Sequence, residues 1–396
     1  MNLNTAPSSE RLHIGFFGMR NAGKSSLVNA VTGQALSLVS DVKGTTTDPV
    51  RKAMELLPLG PVVIIDTPGL DDEGTLGEMR VEKAKQILAT VDIAILVVDA
   101  LKGMSPQDEE LKALFEKRKL PYIIAFNKAD LLGSVPDSKK NEIYVSAQKG
   151  SGINELKEKM VGLVKDRKSE KKILADLVAK NDVVILVTPI DESAPKGRLI
   201  LPQQQTIREL LEIGAVTLVV QVNELSGAIL RLKDKPKLVI TDSQAFKEVS
   251  AIVSEDIMLT SFSILFARYK GDLATVVDGA FRLKELRDGD RVLISEGCTH
   301  HRQCKDIGTV KLPGWIEKYS DKKLSFSFTS GGEFPSDTGD FALVVHCGGC
   351  MLTENEMKNR MEICRLSGTP ITNYGTAIAE MHGILKRSLE VFDKKE

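Results

Sequence analysis

The sequence predicts an α/β protein made of three successive α/β domains, and three observations carry that prediction. Apolar runs alternate with amphipathic helical stretches, first from Arg11 to Lys165 and again from Asp182 onward. A charged segment, Lys165 to Lys172 (KDRKSEKK), separates the two alternations. Four of the five cysteines fall in one late stretch, Cys298, Cys304, Cys347 and Cys350, beside His300, His301 and His346. At 396 residues the chain exceeds one core of ordinary size. The expected boundaries are 1–168, 169–270 and 271–396.

In the first domain the runs His13 to Phe17, Val62 to Ile65, Ile93 to Val98, Tyr122 to Phe126 and Ile143 to Val145 read as strands of an open sheet. The second domain repeats the pattern with Val183 to Val187, Val216 to Val220, Leu238 to Ile240 and Ile257 to Leu259, separated by helical stretches such as Gln204 to Glu212. The third opens on a helix near Gly271. Its strand Arg291 to Ser295 runs into Cys298, and its strand Phe341 to Val345 runs into Cys347. Helices Asn355 to Leu366 and Gly375 to Val391 close the chain. Both cysteine groups therefore sit at strand ends, where loops carry chemistry on a rigid scaffold.

With 53 basic and 54 acidic residues the net charge is −1, so no global field draws the chain to nucleic acid or to an anionic membrane. The first apolar run, Ile14 to Phe17, is far shorter than the roughly 18 residues of a membrane span. Met1 to Glu10 lacks a signal-peptide pattern, and the expected location is cytoplasmic. In that compartment, clustered cysteines and histidines favour a metal over disulfides.

Gly18-Met-Arg-Asn-Ala-Gly23-Lys24-Ser25 fits GxxxxGK[ST] between an expected strand and an expected helix. The amides of Ala22, Gly23 and Lys24 can cradle phosphates at a positive helix terminus, with Asn21 and Ser26 on either side. Lys24 reaches the β and γ phosphates and the Ser25 hydroxyl takes magnesium. Asp66-Thr-Pro-Gly69 ends a strand, placing a carboxylate to hold Mg2+ through water and a glycine amide to meet the γ phosphate. Thr46, with Thr45 and Thr47 as close competitors, is the switch hydroxyl expected in the magnesium shell. Asn127-Lys128-Ala-Asp130 follows a strand, and Asp130 can accept the N1 and N2 hydrogens of guanine. Adenine lacks the N2 donor and would leave that carboxylate unpaired. Ser146-Ala147 can offer an amide to guanine O6. The chemistry these motifs describe is Mg2+-dependent GTP binding and hydrolysis.

These motifs resemble the translation-factor-like GTPases, in particular the branch of the tRNA-modifying MnmE enzymes and the ribosome-assembly GTPases. Leu70 stands where Ras-like enzymes keep a water-orienting glutamine. The resemblance implies that Asn21 helps hold a potassium ion where other GTPases insert an arginine finger, with slow, K+-stimulated turnover. Glu78 or Asp72 can orient the water or simply face solvent.

The late ligands read Cys298-Thr-His300 and His346-Cys347-Gly-Gly-Cys350. A CxxC places two thiolates on one metal or cluster. Zinc would take four protein donors; an iron-sulfur cluster would take three thiolates and leave the fourth iron to another ligand, and spacing alone does not choose. Cys304 lacks a matching partner element, and Cys364 reads as core.

CxH and HCxxC behind a GTPase domain resemble the HydF family of FeFe-hydrogenase maturation GTPases, along the whole chain. The resemblance implies a P-loop GTPase domain, a second α/β dimerisation domain and a smaller α/β iron-sulfur cluster domain. It implies a 4Fe-4S cluster on Cys298, Cys347 and Cys350, with His300 and His346 near the fourth site. It further implies a homodimer acting as scaffold or carrier, which receives a di-iron precursor made with two radical-SAM maturases and delivers it to apo FeFe-hydrogenase. The loop from Pro189-Ile-Asp191 to Arg198 is also similar; it is either a turn or a route for Asp191 to reach a partner's cluster as an oxygen ligand. The rival reading is an RNA-linked GTPase of tRNA modification or ribosome assembly with a structural zinc module. That reading wants a basic face, which the sequence does not show.

Overall fold

The computed structural model describes residues 8–34, 50–67, 87–165, 172–190, 199–297 and 307–393. The chain divides into two compact units, residues 1–170 and 171–396.

The first unit holds a six-stranded sheet in the order β2-β3-β1-β4-β5-β6. Its strands are β1 Leu12–Phe17, β2 Val50–Leu56, β3 Gly60–Asp66, β4 Ile93–Asp99, β5 Tyr122–Asn127 and β6 Glu142–Tyr144. Only the β2–β3 pair is antiparallel. The parallel strands are buried on both faces, so they read as unbroken apolar runs; six of the seven β4 residues are buried. On one face Ile14, Phe16, Ile93 and Ile95 pack against Leu27, Val28 and Val31 of the helix Lys24–Thr32 and against Leu156 and Met160 of the helix Ile153–Lys165. On the other face Phe17, Leu96 and Val98 pack on Leu111 and Phe115 of the helix Pro106–Lys117. That helix starts at a capping box in which Ser105 and Asp108 exchange side-chain and backbone bonds. Strand β2 carried no apolar run: it is an edge strand with Arg51, Lys52 and Glu55 exposed.

The second unit holds two four-stranded sheets, both wholly parallel. One contains β7 Val183–Val187, β8 Val216–Val220, β9 Leu238–Thr241 and β10 Met258–Ser261 in the order β10-β9-β7-β8. The other contains β11 Arg291–Glu296, β12 Ser325–Ser330, β13 Leu343–His346 and β14 Ile371–Asn373 in the order β12-β11-β13-β14. The two orders are the same. In each sheet the first strand is flanked by the second on one side and by the third on the other. The chain thus reverses its winding between the first and third strands, where such folds open a crevice at the carboxyl ends. The sheets share apolar packing, with Ala280, Ala379 and Leu385 joining Ile185, Val187 and Phe246 in one cluster.

Three expectations for this unit change. Strands β12 and β14 carried no apolar run: the first is an alternating Ser-Phe edge strand and the second is three residues long. The expected helix from Gly375 to Val391 is broken. Tyr374–Met381 ends in a Schellman turn, with Gly383 N donating to Glu380 O and Ile384 N to Ala379 O, before Leu385–Leu389 resumes. Among the described residues, no helix is long and apolar enough to cross a membrane.

Candidate functional site

The nucleotide site lies at the carboxyl end of the first sheet. After β1 the chain passes through Asn21 and Gly23, both at positive φ (61° and 86°), and enters the helix Lys24–Thr32 with no side-chain cap on its first turn. Uncapped amides at a helix N-terminus form an anion cradle. Lys24 is buried, and its Nζ donates to Gly18 O (2.9 Å) and Met19 O (2.8 Å), which holds the ammonium inside the loop. Ser26 is exposed on the same turn.

Ser25 Oγ donates to Asp66 Oδ2 at 2.9 Å, bringing together the two groups expected around magnesium. The other carboxylate oxygen, Asp66 Oδ1, is buried with no hydrogen-bond partner. An orphaned anionic oxygen beside a hydroxyl fits a hydrated Mg2+, which would satisfy it through water.

Asn127 joins three loops. Its Nδ2 donates to Ala22 O (3.0 Å) and its Oδ1 accepts from Ala147 N (3.0 Å), while the side chain is almost wholly buried. It thus couples the phosphate loop to the loops that follow β5 and β6. The amides offered to guanine O6 are engaged in this structure, Ala147 N with Asn127 and Ser146 N with Ser151 O. Lys128, at φ 66°, donates from Nζ to Asn21 O (2.7 Å) and Asp99 Oδ2 (2.6 Å). Burial pushes the Asp99 carboxyl up, but the Lys128 bond, the Leu101 amide and the charges of Lys128 and Lys102 outweigh it and hold the group below its ordinary range. The sequence reading passed over Asp99, although it ends β4 in the position that Asp66 holds at the end of β3. Asp130 is half-buried in the turn Ala129–Leu131. Thr46, Gly69, Leu70, Asp72 and Glu78 lie outside the described residues.

The cysteine site lies where the winding of the last sheet reverses. Strands β11 and β13 are the first and third strands of that sheet and run side by side, with Ser295 paired to His346 and Cys347 N donating to Ser295 O at 2.8 Å. Gly297 N then donates to Cys347 Sγ at 3.0 Å, and Gly349 N approaches the same sulfur at 3.4 Å. Amides aimed at sulfur are the second layer that thiolate and cluster ligands take. Cys298 follows Gly297 by one peptide bond. Gly349 has φ 62°, and a Cβ there would lie 2.6 Å from Met357 Sδ, so the turn between Cys347 and Cys350 requires glycine. Burial first, then the neighbouring Cys347, raises the Cys350 thiol, with Lys270 pulling it back. Cys364 is fully buried and its thiol is pushed up to about 11 by burial, as suits a core residue.

His346 is 1% exposed and engaged at both ring nitrogens. Arginine can only donate, so Nε2 accepts from Arg360 Nη1 (2.9 Å) and Nδ1 carries the proton given to Cys347 O (2.7 Å). As a cluster ligand, His346 would first have to leave Arg360. That buried arginine also donates to Ser295 Oγ, Gly331 O and Glu356 Oε1 and lies over the Phe334 ring. Sequence reasoning missed Arg360 and Lys270, because a single cation inside a helical pattern carries no signal of burial. Cys298, His300, Cys304 and Asp191 lie outside the described residues. Among the described residues no three His, Cys, Asp or Glu side chains converge as a metal site.

Comparison with known proteins gives each part of the chain a relative. Residues 13–128 match the 50S ribosome-binding GTPase family, 173–271 the hydrogen maturase F dimerization domain and 274–391 the hydrogen maturase F tetramerization domain. GTPase Der of Kosmotoga olearia is 38% identical over 170 residues, 38% of this chain and 38% of that protein. The tRNA modification GTPase MnmE of Nitrosospira multiformis is 33% identical over 162 residues, 39% of this chain and 35% of that protein. The chain thus spans little more than a third of the length of these curated relatives. The crystal structure of Aquifex aeolicus Era bound to GDP.AlF4- is 22% identical, with a TM-score of 0.35, over 53% of this chain and 92% of that one. The first unit contains a P-loop GTPase domain. Behind it, two successive hydrogen maturase F domains account for more than half of the chain, which therefore belongs to the hydrogen maturase F (HydF) family.

Proposed function

We propose that the chain is a GTP-hydrolysing scaffold or carrier in the maturation of FeFe-hydrogenase. On this reading it holds a 4Fe-4S cluster on Cys298, Cys347 and Cys350 and assembles or delivers the di-iron precursor to the apo-enzyme. The observation that carries it is the 3.0 Å contact between Gly297 N and Cys347 Sγ, because it brings the residue preceding Cys298 onto the sulfur of the CxxC pair. A bound cluster supplies an iron site with an exchangeable position, for which Asp191, His300 and His346 are the candidate ligands. The chain's own residues provide the thiolates, the amides that hold them and the glycine turn that lets the backbone wrap the core.

In the first unit Lys24 and the helix amides bind the phosphates, and Ser25, Asp66 and Thr46 hold Mg2+. The Gly69 amide meets the γ phosphate, and Asp130 selects guanine. Asn21, whose carbonyl is fixed by Lys128, is the proposed ligand of a K+ that takes the place of an arginine finger. The proposed partners are a second copy of the chain, two radical-SAM maturases and apo FeFe-hydrogenase. An RNA-linked role rests on the GTPase domain alone, while residues 173–391 match domains of another family.

Anaerobic reconstitution with ferrous iron and sulfide tests this reading. After dithionite reduction it should give an electron paramagnetic resonance signal of a reduced cluster and about four irons per chain. Stoichiometric zinc with no such signal would replace the carrier reading by a structural module.

A further inference from the structure

Lys270, the last residue of the helix Phe262–Lys270, is 6% exposed, and its Nζ donates to Cys350 O at 2.9 Å and to Leu352 O at 3.0 Å. The lysine belongs to the dimerization region of the chain, yet it straps the cysteine loop of the region that follows. Its side chain lines a small cavity together with His346, Cys347 and Gly348. Taking an ammonium out of water costs several kcal/mol unless charge or dipoles offset it. Two carbonyl oxygens and the negative end of its own helix offset part of that cost. A thiolate-ligated iron-sulfur core is anionic and becomes more so on reduction, and a low-dielectric interior strengthens its attraction to a nearby cation.

The geometry points to Lys270 as a positioning residue of the cluster site: it fixes the Cys347–Cys350 loop through its two carbonyl bonds and stabilises the reduced cluster through its charge. The inference rests on the cluster reading proposed above. It adds that a residue of the dimerization region sets a property of a site in the next region, so that changes at one are felt at the other.

Lys270→Gln keeps amide donors near the two carbonyls and removes the charge, whereas Lys270→Arg keeps the charge. In redox titrations of the reconstituted full-length protein, followed by electron paramagnetic resonance, Lys270→Gln should shift the midpoint to lower potential. The ratio of reduced to oxidised cluster at a fixed potential should fall about tenfold, and Lys270→Arg should stay near wild type. Loss of loading in Lys270→Gln with retention in Lys270→Arg also supports the inference. A loaded Lys270→Gln protein with the wild-type midpoint overturns it, as does equal loss of cluster in both variants. If Lys270→Gln is insoluble, Lys270→Met supplies the neutral side chain and is read in the same way. A wild-type protein that takes up no cluster sinks the carrier reading and this inference with it; a loaded wild type with an indifferent Lys270→Gln sinks this inference alone.

Discussion

The nucleotide site and the cysteine site occupy the same kind of place, the carboxyl ends of parallel strands, but they are assembled differently. The phosphate loop is one continuous stretch, Gly18 to Ser25, whose own backbone makes the cradle, and Asn127 ties the later loops to it. The cysteine site has no such stretch. Its proposed donors follow two strands made neighbours by sheet order, and cations on other helices, Lys270 and Arg360, hold the described loops. A site made of consecutive residues announces itself as a motif. A site made by topology is readable only once the strand order is known.

That contrast says the two sites should be separable, and the strongest perturbations test it. Replacing Cys347 by serine removes the sulfur that accepts from Gly297 and Gly349. We expect the cluster signal to vanish while GTP turnover stays within about twofold of wild type, read by spectroscopy and phosphate release on one preparation. The converse variant, Lys24→Ala, should lower GTP turnover by about a hundredfold or more and leave iron content unchanged. Coupled loss in either variant would mean that the sites form one functional unit.

Smaller effects sharpen how the nucleotide site is assembled. Asn127→Ala breaks the side-chain bonds that link three loops, each worth about 1 kcal/mol. GTP affinity measured by calorimetry should weaken about tenfold to a hundredfold, whereas a residue contacting the base alone would not also loosen the phosphate loop. Exchanging K+ for Na+ at constant ionic strength should slow hydrolysis about tenfold if Asn21 holds the ion; equal rates would remove that role. The mildest effect concerns acid. The folded Asp99 carboxyl lies below its unfolded value, so its stabilisation is fully present above the unfolded value and disappears as pH falls through the folded one. Asp99→Asn should therefore flatten the loss of first-unit stability below about pH 4, followed by chemical denaturation.

Much of the fold was legible because doubly buried strands leave apolar runs, as β4 and β7 do. Strands β2 and β12 were not, since these edge strands interleave polar residues with apolar ones and show no unbroken apolar run, and β14 is too short to show one. The break at Gly383 looked like an ordinary glycine in an apolar helical stretch, because nothing local announces a Schellman turn there. At the nucleotide site motif and order named the proposed ligands, and the contacts of Asp99 and the linking bonds of Asn127 emerged only from the structure. At the cysteine site the proposed donors were legible from spacing. Their supports were not, because burial of Lys270 and Arg360 is a property of packing that single residues do not encode.

The central claim is that Cys298 joins the Cys347/Cys350 pair on one inorganic centre. Iron and sulfide loading of Cys298→Ser beside Cys304→Ser tests it most directly. The account predicts that Cys298→Ser loses the cluster signal and most of its iron while Cys304→Ser retains both. A Cys298→Ser protein that loads iron and gives the wild-type signal would contradict it.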